Sequence, residues 1–80
     1  MTREEILLCI GAERARQDSE RGGCAHDMKH SKLDWTAIIQ EHTRKVLYEG
    51  AYQRELIHIA ALAVAALEVA SASRGDEAPR

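Results

Sequence analysis

The chain has no phenylalanine, one tryptophan and two tyrosines in 80 residues. Three aromatic rings are too few to stack successive bases along a nucleic-acid strand. Its charge favours neither sign: 11 Lys and Arg stand against 13 Asp and Glu, for a net charge of −2 with the histidines neutral. The basic residues are scattered among acidic ones, so no general attraction to nucleic acid exists and none is expected as a partner. Cysteine is scarce as well. Cys9 and Cys24 read as free thiols in a cytoplasmic chain, because the N-terminal stretch MTREEILLCIGAER lacks the long apolar region of a secretory signal. The longest uninterrupted apolar run, residues 59–67, is nine residues. That is far below the ~20 a spanning helix needs, so no membrane segment is expected. The sequence shows no nucleophile–base pair, glycine-rich phosphate loop or CxxC. It also lacks strand alternation, repeats and low-complexity segments.

What is present is helical patterning. Residues 54–70, RELIHIAALAVAALEVA, read as one helix that is apolar on nearly every side, interrupted only by Glu55, His58 and Glu68. Such a helix must be buried all round or lie in a membrane. So short a chain supplies few neighbours to surround it, and small domains without disulfides or metals gain stability by association. The expectation is a homo-oligomer, dimer or tetramer, with Leu56, Ile59, Leu62, Ala63 and Ala66 at the interface. Two earlier helices precede this one. Thr2 followed by Glu5 forms a capping-box pattern opening a helix over 3–20. Its apolar stripe is Ile6, Leu7, Leu8, Ile10 and Ala15, and the stretch RARQDSER is expected to be solvated. Gly22-Gly23 closes it in a left-handed cap. After a polar loop, GGCAHDMKHS, Ser31 and Asp34 open a second helix over 32–49. Its buried face is Trp35, Ile38, Ile39, His42, Val46 and Leu47, and Gly50 is its C-cap. The third helix spans 52–73 and the tail 74–80 is expected to fray; its RGD tripeptide reads as chance. The expected fold is all-α: a single domain over 1–73, with an antiparallel helix 2–helix 3 hairpin, assembling into an oligomeric helical bundle.

The candidate chemistry gathers near that hairpin. Glu41 and Lys45 lie one turn apart on helix 2, and Glu55 and His58 one turn apart on helix 3, so all four are placed to meet. Facing helices that present carboxylates build bundle metal sites, and Mg²⁺ takes oxygen ligands. The candidate metal ligands are Glu41, Glu55 and His58. A lysine between two glutamates neutralises them without an ion, so a Glu41–Lys45–Glu55 ion network competes with the metal reading. His42 and His58 also suit a transition metal, or serve as hydrogen-bonded core histidines. The loop offers His26, Asp27 and His30, read as loop-ordering hydrogen-bond groups or as ligand contacts. Trp35 is read as a core anchor whose indole N–H finds a partner, or as the wall of a base-binding pocket. Arg14, Arg16 and Arg21 are the contacts a phosphate ligand would use. The candidate ligand-binding set is Trp35, Lys45, Arg14, Asp27 and His30.

The segments ERARQDSERGG, AHDMKHSKLDW, EHTRKVLYEG and RELIHIAALAVAALE, in that order over residues 6–67, resemble the all-α nucleotide pyrophosphohydrolases of the MazG-like group. The resemblance implies hydrolysis of nucleoside triphosphates to monophosphate and pyrophosphate. It also implies Mg²⁺ held by an E-E-x-x-x-E-like helix and an E-x-x-D-like helix, and assembly into dimers or tetramers. The family's paired glutamates fall on Glu41 and His42, its next carboxylate at about Lys45, and its later pair on Glu55 and His58. Two carboxylate positions match and three carry His, Lys and His. Three functions follow as expectations. The first is a scaffold that has lost the standard Mg²⁺ site and binds a nucleotide or protein as an oligomer. The second is an active hydrolase with a rebuilt site, which alone requires Mg²⁺. The third is a small helical interaction protein, for example a phage or mobile-element accessory factor.

Overall fold

The computed structural model describes residues 1–22, 27–46, 48 and 50–74, with the side chains of 73 and 74 excepted. Gly23, Cys24, His26, Leu47, Glu49 and the tail from 75 lie outside the described residues. Every described element is an α-helix: α1 (Arg3–Arg21), α2 (Lys32–Val46) and α3 (Tyr52–Arg74).

The helix starts follow from side chains that satisfy orphan backbone donors. Thr2 Oγ1 accepts from the Glu5 N–H at 3.1 Å, and the Thr2 N–H donates to the Glu5 carboxylate at 2.7 Å. Ser31 and Asp34 repeat the exchange at α2, at 2.9 and 3.1 Å. Gly22 ends α1 with φ 93°, a left-handed conformation that glycine adopts without a Cβ clash, and its N–H donates to the Asp18 carbonyl. Gly50 plays no such part, since Gly22 holds the one positive φ among the described residues. Helix α2 ends at Val46, earlier than the expected 49. A tightened turn, with the Tyr48 N–H on the Lys45 carbonyl at 3.0 Å, closes it.

Helix α3 is the hub. Both α1 and α2 pack on it and not on each other. Its buried residues Leu62, Ala65 and Val69 join Trp35 of α2 in one core, flanked by Ile38, Ile39 and Ala66. The wholly buried Ala61 and Ala65 present small side chains that allow close approach. Leu62, expected at an oligomer interface, is only 1% exposed within the single chain. It is a core residue, because Trp35 covers its side of α3. Leu56 and Leu67 stay exposed, while Ile59, Ala63 and Ala66 are half-buried.

Helix α1 overturns the expected pattern. Leu7 and Leu8 face solvent, Ile6 is largely open and Ala15 is exposed, whereas Arg14 and Gln17 are its buried residues. The stretch expected to be solvated is the one that docks, because α3 offers polar partners there. By length and composition alone, Tyr52–Ala72 is apolar enough to cross a membrane, with mean hydropathy 1.7 and 22% of its most apolar window buried. The longest uninterrupted run alone does not reveal this, because single polar residues interrupt the apolar stretch. In the fold the same helix is the packing centre, and its acidic and histidine side chains are engaged by other helices.

Candidate functional site

A polar side chain on an apolar helix needs a partner once buried. Each of the three that interrupt α3 finds one elsewhere in the chain. Glu55 meets His42 Nδ1 of α2 at 2.8 Å. His58 Nδ1 meets Glu13 of α1 at 2.7 Å. Glu68 accepts from both Nη2 and Nε of Arg14, at 2.9 and 3.3 Å. The first two pairs adjoin, with the His42 and His58 ring centroids 4.4 Å apart and tilted by 42°. Together they form a carboxylate–histidine seam, Glu13–His58–His42–Glu55, that crosses α3 and ties all three helices.

The seam's outer end is electrostatically held. Arg16 reaches Glu13 with two donors, at 2.8 and 2.6 Å, while Gln17 adds a third at 3.3 Å. The Arg16 guanidinium is the main reason that the Glu13 carboxyl is lowered to about 2, with the hydrogen bond from His58 adding to it against the opposing effect of burial. Arg16 is correspondingly raised by its bonds to Glu13 and Glu20. The side chains of Glu13, Arg16, Arg54, Glu55 and His58 line an open cavity of about 480 Å³. A small polar ligand entering it would meet two guanidinium groups, two carboxylates and one imidazole.

The second polar cluster is an internal staple. Arg14 is buried and donates to Gln17 at 3.2 Å, Asp18 at 2.7 Å, Asp27 at 3.3 Å and Glu68 at 2.9 Å. Burial lowers its pKa, but the bonds to Glu68 and Asp18 outweigh that and raise it. The guanidinium is taken up by the protein, so the expected phosphate contact at Arg14 is corrected. Asp27 is likewise buried as its partner.

The rest of the expected ligand set is dispersed. Trp35 sits in the core at 6% exposure, with His30 against it edge to face at 5.0 Å. Its indole N–H is buried with no hydrogen-bond partner among the described residues, contrary to the expected capped anchor. Lys45 is exposed and forms no ion pair with a described carboxylate. The expected Glu41–Lys45–Glu55 network does not form. Glu41 turns outward to Arg44, three residues on, with both oxygens at 2.8 Å from Nη2. Arg44 is the main cause of its lowered pKa. Glu55 turns inward to His42 instead.

These placements test the magnesium reading. Hard Mg²⁺ requires several carboxylate or water oxygens in near-octahedral array. Glu41 and Glu55 are bound to different partners, the position beside Glu41 is an imidazole, and no three His, Cys, Asp or Glu side chains among the described residues group to hold a metal. The residues present do not fit a magnesium centre.

Glu13 completes the seam without standing in the expected site set, and His42 stood only among the alternatives, as a transition-metal ligand or a hydrogen-bonded core histidine. One sequence signal pointed to them: a lone histidine and a lone glutamate on an apolar helix each call for a complementary group. No family model, curated protein or solved structure matches the chain.

Proposed function

We propose that the chain is a MazG-like helical scaffold without the standard Mg²⁺ centre, acting as an oligomeric module that binds a nucleotide or protein ligand rather than hydrolysing one. The observation that carries this reading is the commitment of the central carboxylates. Glu13 is held by Arg16 and His58, Glu55 by His42, and Glu41 by Arg44. Magnesium-dependent hydrolysis of a triphosphate needs a metal to neutralise phosphate charge and activate water, and these carboxylates are already engaged by protein guanidinium or imidazole groups. The cavity beside Arg16 and Arg54 favours a ligand-binding module over a pure interaction protein.

Two further features belong to this reading. We take α2 and α3 as an antiparallel hairpin, which is supported at both ends. Lys32, Trp35 and Thr36 share a cavity with Ala66, Leu67 and Ala70, while His42 meets Glu55. We take the exposed face of α3 that carries Leu56 and Leu67 as the association surface, in place of Leu62. Such a face is what an apolar helix flanked on only two sides leaves open.

The test is pyrophosphate release from a panel of canonical and modified nucleoside triphosphates, with Mg²⁺ and with Mn²⁺, beside a Glu55→Gln control and calorimetric titration of the same nucleotides. The expected outcome is no release above background from an oligomeric helical protein, with saturable binding of at least one nucleotide or of a protein partner. Release that disappears in Glu55→Gln would establish a hydrolase with a rebuilt site and overturn the reading.

A further inference from the structure

The seam has a feature that nucleotide binding leaves unused. In both histidines Nδ1 faces a carboxylate, His42 on Glu55 and His58 on Glu13. A carboxylate on Nδ1 fixes the tautomer with the proton at that nitrogen. The lone pair is then at Nε2. For His58 that nitrogen is buried with no hydrogen-bond partner among the described residues. A buried acceptor left unmade is costly, and an imidazole Nε2 backed by a carboxylate on Nδ1 is the usual form of a metal-ligating histidine.

We propose that His42 and His58 form a binding site for a borderline transition-metal ion such as Zn²⁺, through their Nε2 atoms, with Glu55 and Glu13 as the orienting groups behind them. The ring spacing fits. Two imidazoles bound through nitrogen to one tetrahedral zinc at about 2.1 Å have centroids about 5 Å apart. The observed separation is 4.4 Å, so a small opening of the pair admits the ion. Imidazole donors select zinc, copper or nickel over magnesium, in keeping with the misfit of Mg²⁺ to this centre. With two protein ligands the remaining positions are left to water or to a small anionic ligand admitted with the ion. Each carboxylate stays with its own imidazole, so no proton leaves Nδ1 on binding. The ion takes up the unmade contact of the buried His58 Nε2, and on His42 it uses the nitrogen not bonded to Glu55.

Metal-free, nucleotide-free protein would be titrated with Zn²⁺ while the nitrogen resonances of all four histidines are followed by NMR. The expected result is saturable binding that moves Nε2 of His42 and His58 and leaves both Nδ1 protonated. Calorimetry should show the affinity lost in His58→Gln and in His42→Gln, unchanged in His30→Gln, and weakened about 10- to 100-fold in Glu13→Gln through the orienting carboxylate. Movement of the His26 or His30 resonances alone, or no saturable shift at all, overturns the site. So does binding that survives both single glutamine variants. The resonance measurement needs no variant, so a misfolded mutant leaves the outcome intact. Nucleotide is absent throughout, so the result is independent of whether the cavity binds one.

Discussion

Replacing Arg14 by alanine is the most discriminating perturbation of this fold. Its guanidinium serves Asp18, Asp27, Glu68 and Gln17 at once. The carboxylates differ in what they lose. The Asp18 and Glu68 side chains are 45% and 59% exposed and regain water when the cation leaves, so each contributes about 0–1 kcal/mol, as surface pairs do. Asp27 is 9% exposed and becomes a buried charge without a counter-ion. Removing one member of a buried pair costs about 3–5 kcal/mol. The expected destabilisation for Arg14→Ala is therefore about 3–5 kcal/mol, a large part of the roughly 5–15 kcal/mol that holds a domain together. At about 4–8 °C per kcal/mol for a domain of this size, Tm should fall by at least 12 °C. Urea melts followed by helical circular dichroism, at one protein concentration because association shifts apparent stability, give the number. Arg44→Ala, which removes an exposed pair with Glu41, should cost under about 1 kcal/mol in the same assay. Adding Asp27→Leu to an Arg14→Met background should recover much of the loss, since replacing both members of a buried pair by apolar groups is close to neutral. A cost for Arg14→Ala no larger than that of Arg44→Ala would refute the staple.

Two further outcomes follow from burial and charge. Leu62→Ala should destabilise the single-chain core by about 2.7–5 kcal/mol. Leu67→Ala should change chain stability by no more than about 0.5 kcal/mol while reducing oligomer in sedimentation; equal effects of the two on unfolding would contradict the assignment of core and surface. The Glu13 carboxyl is lowered from 4.5 to about 2 in the folded protein, chiefly by Arg16. A carboxyl lowered on folding adds stability above its unfolded value and loses it as pH falls through the folded one. Stability should thus decline between about pH 4.5 and pH 2, and Glu13→Gln should flatten that part of the profile in acid melts.

Sequence and structure agree where local chemistry decides. Thr2 with Glu5, Ser31 with Asp34, and Gly22 mark helix boundaries because each acts within one turn of itself. The α2 face from Trp35 to His42 was readable because its apolar residues follow one period. The docked face of α1 was not. Arg14 and Gln17 look like solvated residues, and burial of the guanidinium is made tolerable by carboxylates outside its own helix, Asp27 at 13 residues and Glu68 at 54 residues from Arg14. Burial of a charge is a non-local fact. The same holds for the seam: Glu55 and His58 were visible as a notch, but their partners come from two other helices. Assigning Glu41 to that notch failed because Arg44, one turn along its own helix, competes for it.

The hub arrangement of α3 also orders assembly in time. The bond from His42 to Glu55 closes a loop of 13 residues, whereas Glu13 to His58 spans 45 and Arg14 to Glu68 spans 54. Closing the longer loops costs about 1 kcal/mol more in chain entropy, so the expected order has α2 and α3 meeting first and α1 arriving last. By the same token α1 leaves first when the protein opens, and its amides should exchange with solvent ahead of those in the Trp35–Leu62 core. One half of the histidine pair is thus held by an early contact and the other by a late one. The seam behaves as a clasp that exists only while the outermost helix is home.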